Sequence, residues 1–114
     1  MTVEAGGSDR IVRVDLTPLN AINPLDGRYR DRVEDLSPFA SEMALIKTRV
    51  EVEAKYLVAL SEVRLSRSLT SEETDILINL GPSMTTEQVE RVKEIEDTTR
   101  HDVKAMERAF REFV

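Results

Sequence analysis

The only histidine among the 114 residues, His101, stands in the run Thr98-Thr99-Arg100-His101-Asp102, which crowds hydroxyls, a guanidinium, an imidazole and a carboxylate together. Two threonines ahead of an apolar repeat suit a helix start, where free N–H groups and the positive end of the dipole favour an anion. Arg100 and the two hydroxyls add donors, and an imidazole, whose ordinary titration falls near neutrality, can give such a ligand a hydrogen bond or a proton. A purely structural account stands beside this one: the threonines cap, Asp102 complements the dipole, and His101 is a surface side chain. The second cluster is Asp26-Gly27-Arg28-Tyr29-Arg30. A glycine lets backbone approach a ligand closely, and guanidinium and phenol donors behind it suit a phosphate. Here too a structural account is open, with Arg28 and Arg30 paired to Asp26, Asp31 or Glu34 and the Tyr29 ring anchoring the loop.

The elements that must position these groups are read from periodicity and punctuation. Leu16 to Pro38 holds Pro18, Pro24, Pro38 and Gly27, which predicts an irregular, extended arm with no helix before Pro38. Within it Asn23-Pro24-Leu25-Asp26-Gly27 is turn chemistry, with Gly27 free to take a positive φ. Ser37-Pro38 predicts a cap and first helical residue. The stripe Met43, Ile46, Val50, Ala54, Leu57 and Leu60 then predicts a long helix. A second row, Val52, Tyr56, Ala59 and Val63, predicts that this helix packs on more than one partner. Thr70-Ser71-Glu72-Glu73 has capping-box spacing and opens a second helix carrying Ile76, Leu77 and Leu80, with a stop expected at Gly81-Pro82. Thr85 to Gln88 offers another box ahead of Val89, Val92 and Ile95. Val103, Met106, Phe110 and Val114 mark a fourth helix whose apolar face still runs at Phe113-Val114, as expected of a longer chain cut short, with a frayed terminal helix as the alternative.

Composition narrows what such a chain can do. One domain is the ceiling at this length, and a 40% apolar, 4% aromatic chain builds an aliphatic core. A formal charge of -6 argues against nonspecific binding to nucleic acid. Cysteine is absent, which removes thiolate metal sites and cysteine nucleophiles, and neither paired-histidine metal spacing nor a nucleophile elbow occurs. No apolar run approaches the roughly 20 residues of a membrane-spanning helix. Met1 to Asp15 shows no apolar signal region, no strand alternation and a Gly6-Gly7-Ser8 interruption, and is expected to be a flexible start.

The arm Leu19-Asn20-Ala21-Ile22-Asn23-Pro24-Leu25-Asp26-Gly27-Arg28-Tyr29, the long amphipathic helix, and Thr98-Thr99-Arg100-His101-Asp102-Val103-Lys104-Ala105, in that order, resemble adenylosuccinate lyase from about Leu16 to Val114. Ile95 to Lys104 is similar to that family's first substrate-contacting segment. The resemblance implies an all-α fold: residues 16–114, opening with the irregular extended arm, would form the N-terminal helical domain of a fumarase/aspartase-type lyase, after a flexible stretch at 1–15. The central helical bundle and C-terminal domain are not among these residues. It further implies a cytoplasmic homotetramer that needs no cofactor or metal and eliminates fumarate from adenylosuccinate, giving AMP, and from SAICAR, giving AICAR. By that pattern Arg28 and Tyr29 bind the nucleotide phosphate, and Arg100, His101 and Asp102 line the site around the succinyl group and ribose. Relatives carry asparagine or arginine where Arg100 stands. His101 is at most an auxiliary acid, because the family's mobile serine loop and main acid histidine belong to later segments, so the isolated chain is expected to be inactive. Two other readings stay open here: a nonenzymatic helical protein-interaction module, and part of another superfamily lyase such as argininosuccinate lyase.

Overall fold

In the computed structural model, which describes residues 2–7 and 10–114, the longest helix is started by a serine in extended conformation. Ser41 has φ −78° and ψ 165°, and its hydroxyl accepts the Ala44 N–H at 3.1 Å, so α3 spans Glu42–Glu62. The expected cap at Ser37-Pro38 is not used. Ser37 is itself helical, with φ −55° and ψ −42°, and only a single turn, α2, covers Ser37–Ala40. A cap residue has to be extended while its side chain reaches forward, and Ser41 meets that condition where Ser37 does not.

The chain divides into two compact units, Met1–Ser37 and Pro38–Val114. The second is all-α and contains α3, α4 (Ser71–Ser83), α5 (Thr86–Thr99) and α6 (Asp102–Phe113). Consecutive helices pair as two antiparallel hairpins, α3 with α4 and α5 with α6, and α3 also meets both α5 and α6. The core is aliphatic apart from Phe110: Ile46, Val50 and Ala54 of α3 pack with Leu77 and Leu80, Val89, Val92 and Ile95, and Ala105, Met106 and Ala109. On α6 the inward face is Ala105, Met106, Ala109 and Phe110, while Val103 stays about half exposed. Two alanines at full burial let that helix approach its neighbours closely, which large side chains at the same positions would prevent. The α3 stripe faces the core as its spacing predicts, but Val52, Tyr56 and Val63 of its second row are exposed, as is Ile76 on α4. Among the described residues no helix is long and apolar enough to cross a membrane.

Both predicted capping boxes form. Thr70 and Glu73 exchange side-chain and backbone bonds at 3.1 and 3.3 Å, and Thr85 and Gln88 do so at 3.2 and 2.9 Å. The expected stop at Gly81-Pro82 does not occur, since α4 runs on to Ser83 and no glycine has positive φ. Gly81 serves proximity: a Cβ there would lie 2.8 Å from the Lys47 carbonyl oxygen and 2.9 Å from the Glu51 backbone nitrogen, so α3 and α4 touch backbone to backbone. Pro82 lies inside the last turn of α4, where it has no N–H to give the Ile78 carbonyl, and the helix ends one residue later at Ser83.

The first unit departs further from its expected irregularity. Backbone pairing joins β1 (Thr2–Gly7) to β2 (Arg10–Asp15) as an antiparallel ribbon, with Thr2 opposite Asp15 and Gly7 opposite Arg10. The β-branched Ile11, Val12 and Val14 suit a strand without the strict alternation that a half-buried sheet displays. The arm, expected to hold no helix, folds into short turns: 3₁₀ turns at Pro24–Asp26 and Glu34–Leu36 flank α1, Arg30–Val33. Each covers three or four residues, too short for the periodicity that reveals a helix.

Two predictions follow from this packing. Glycine to alanine inside a helix ordinarily stabilises by about 1 kcal/mol, but Gly81→Ala is expected to destabilise the chain by about 1–3 kcal/mol through overpacking, measured by urea denaturation. At the start of α4, the Arg67 guanidinium and then the Thr70 N–H hold the Glu73 carboxyl at about 2, below its ordinary 4.5. The folded value is the lower one, so this stabilisation is complete above about pH 4.5 and is lost as pH falls toward 2. Glu73→Gln should flatten the acid limb of the thermal midpoint over that range.

Candidate functional site

Two residues, Arg100 and His101, make the whole connection between α5 and α6. Arg100 is left-handed, with φ 50° and ψ 31°, and its N–H donates to the Glu96 carbonyl at 2.7 Å, closing α5. Glycine and asparagine adopt this conformation at least cost. Arg100 takes it with a full side chain, one of two non-glycine residues with positive φ among those described. His101 is extended, at φ −146° and ψ 112°, and caps α6: its Nδ1 accepts the Lys104 N–H at 3.2 Å. That bond fixes the tautomer, because an Nδ1 that accepts leaves the proton on Nε2. The exposed His101 ring thus offers Nε2–H outward as a donor.

Thr99 locks the turn from the other side. Its hydroxyl donates to the His101 carbonyl at 3.0 Å and accepts the His101 N–H at 3.3 Å. Asp102 uses both carboxylate oxygens within the fold, one accepting the Val103 N–H at 2.8 Å and the other meeting Arg49 Nη1 at 2.8 Å. The Arg49 guanidinium, followed by the Val103 N–H, keeps this carboxyl below its ordinary range. The cap expected of the threonines is supplied by the imidazole, since Thr98 and Thr99 lie within α5. Arg49 was not foreseen. It is distant in sequence, and no local signal couples it to Asp102.

The other predicted cluster lies in the first unit. Asn23 opens the turn by accepting the Leu25 and Asp26 N–H groups at 2.9 and 3.2 Å. Gly27 has φ −124°, not the positive φ expected of it, and is required for space: an added Cβ would stand 2.8 Å from the Pro18 carbonyl oxygen. The Tyr29 and Gly27 N–H groups both donate to the Pro24 carbonyl, so the backbone before the Arg-Tyr pair is wound tightly. Arg30 pairs with Asp26 at 3.2 Å, as the structural account of this loop anticipates. Arg28 instead lies against the Tyr29 ring, with its Cζ 5.0 Å from the centroid, and Arg32, missing from the sequence reading, stands 5.8 Å from the same centroid. Guanidiniums held on a ring face keep N–H edges available for an anion.

A groove of about 440 Å³ in the first unit is lined by Leu16, Thr17, Pro18, Ala21, Asp26, Gly27, Arg30 and Glu34. Between α5 and α6 a shallower one of about 270 Å³ is lined by Arg91, Glu94, Ile95, Thr98, Arg108 and Glu112. Among the described residues no group of histidine, cysteine, aspartate or glutamate is arranged to hold a metal ion. Arg28 and Tyr29 belong to the first unit, and Arg100, His101 and Asp102 to the second.

A capped turn between helices and an arginine-tyrosine turn on an arm are the two polar clusters of a mainly helical protein, and sequence relationship narrows that class. The chain is 39% identical over 102 residues to an adenylosuccinate lyase of Dictyostelium discoideum, 40% over 95 residues to one of Legionella pneumophila (strain Corby), and 38% over 104 residues to one of Escherichia coli (strain K12). These alignments take in 82%, 81% and 89% of this chain but 21%, 21% and 23% of the relatives. The chain is thus related to the adenylosuccinate lyases over most of its own length and spans about a fifth of theirs. No family model matches it.

The cap has a measurable consequence. His101→Ala is expected to cost about 1 kcal/mol, the ordinary value of a lost N-cap, while His101→Asn, whose side-chain oxygen can accept the Lys104 N–H, should remain within about 0.5 kcal/mol of the parent. Urea titration of both variants checks this.

Proposed function

We propose that this chain is part of an adenylosuccinate lyase, a carbon–nitrogen lyase that releases fumarate from adenylosuccinate and from SAICAR in purine biosynthesis. The observation that carries the reading is the 38–40% identity to such enzymes across four-fifths or more of the chain. In this reading Arg28 and Tyr29 take the nucleotide phosphate. Their stacked arrangement, with Arg32 beside the ring, is suited to it. Arg100, His101 and Asp102 line the site around the succinyl group and ribose. The structure of the turn supports unequal contributions: a donor at His101 Nε2, a backbone conformation at Arg100, and at Asp102 a carboxylate already engaged by Arg49.

Elimination of fumarate requires a base for the carbon-bound proton, stabilisation of the carbanion beside the carboxylate, and an acid for the departing nitrogen. His101, with its proton on Nε2, fits an orienting donor or auxiliary acid, while base and principal acid come from elsewhere in the enzyme. The isolated chain is therefore inactive. The enzyme is read as a cytoplasmic homotetramer with no cofactor. The exposed row Val52, Tyr56 and Val63 on α3 supplies apolar surface of the kind an assembly would cover.

A hybrid in which this chain replaces the matching segment of the Escherichia coli lyase tests the reading. Fumarate release from adenylosuccinate is expected within about tenfold of the parent enzyme, and Arg28→Ala or His101→Asn should each lower kcat/KM by about 100-fold. His101→Asn is the informative choice because it keeps the cap. A folded, tetrameric hybrid without turnover, or one indifferent to both substitutions, would sink the proposal.

A further inference from the structure

Arg49 stands outside the two clusters that the lyase reading uses, yet it makes the contact that ties α3 to the start of α6. We infer that Arg49 is a positioning residue for that reaction, setting the direction of the His101 imidazole through Asp102; the inference rests on the lyase reading. The geometry is a short chain of contacts. Arg49 precedes Val50, which is fully buried, so its Cα is fixed by the core. Its Nη1 meets Asp102 Oδ2 at 2.8 Å, and the other oxygen of that carboxylate accepts the Val103 N–H at 2.8 Å. Asp102 is the first residue of α6, immediately after His101. Arg49 thereby holds the first turn of the helix that His101 caps.

The junction needs an external hold. Arg100 pays the cost of a left-handed conformation for a residue with a Cβ, and His101 is the one other residue of the connection, so a change at the start of α6 falls directly on the imidazole. If α6 rotates or frays at its start, the Lys104 N–H leaves Nδ1 and the imidazole is free to change tautomer and rotamer. The Arg49–Asp102 pair is partly exposed, with side chains at 28% and 50%, so its contribution to global stability is small. Its effect lies in direction, since a ligand donor misplaced by a fraction of an ångström loses much of its value in the transition state. The neighbouring tether, Lys93 to Glu42 at 3.0 Å, joins α5 to the first residue of α3 and does not reach the turn.

The chain holds a single imidazole, so its ring nitrogens give one set of ¹⁵N resonances. In the parent they should report an accepting Nδ1 and a protonated Nε2. Arg49→Met is expected to give a tautomer mixture and about tenfold faster exchange of the Lys104 amide, with Arg49→Lys nearer the parent. Asp102→Asn, which leaves α3 untouched, should reproduce the change should Arg49→Met fail to fold. In the lyase hybrid Arg49→Met should lower kcat about tenfold with KM within about twofold. Unchanged ring resonances in both variants, or an active hybrid whose kcat ignores Arg49→Met, would overturn the positioning role alone. A hybrid inactive before any substitution would remove the lyase reading and this inference with it.

Discussion

A single nitrogen-to-nitrogen hydrogen bond, from the Lys104 N–H to His101 Nδ1, fixes more of this molecule's chemistry than any other contact. It satisfies a donor that the first turn of α6 leaves without a helical partner. With Nδ1 accepting, Nε2 is the ring nitrogen left to donate. The same bond depends on a costly backbone state one residue earlier, at Arg100, and on Thr99 bridging the turn. The cap is what aims the ring.

The arm reaches a comparable result by different means. It has no buried helix face to lean on, and its order comes from side chains that imitate backbone turns, Asn20 and Asn23 above all. Gly27 then lets two segments of backbone come closer than any Cβ would allow. The outcome is a tyrosine with two guanidiniums against its ring, carried by a hydrogen-bonded turn.

Charge is distributed in a consistent way across the helical unit. The core admits no buried polar or charged residue among those described, and the ion pairs sit at its edges, Arg91 with Glu112 between α5 and α6, and Arg49 and Lys93 between α3 and its neighbours. Exposed pairs of this kind add little stability each.

Local chemistry was legible in the residues themselves. The capping boxes at Thr70 and Thr85, the inward stripe of α3 and the all-α character of the helical unit depend on spacings of three and four, which a helix imposes wherever it forms. The resemblance to adenylosuccinate lyases was likewise legible. Contacts between distant segments were not. Gly81-Pro82 has the composition of a helix stop, and only the approach of α3 shows that the glycine is there for contact. Ser37-Pro38 has the composition of a cap, and the backbone places the cap at Ser41. Val52, Tyr56 and Val63 have the spacing of a buried row and are exposed. Arg49 carries no mark that it holds Asp102, because an ion pair across 53 positions leaves no periodic trace. Hydrogen bonds between near neighbours are set by residue type and spacing, whereas proximity between helices is a property of the packed whole.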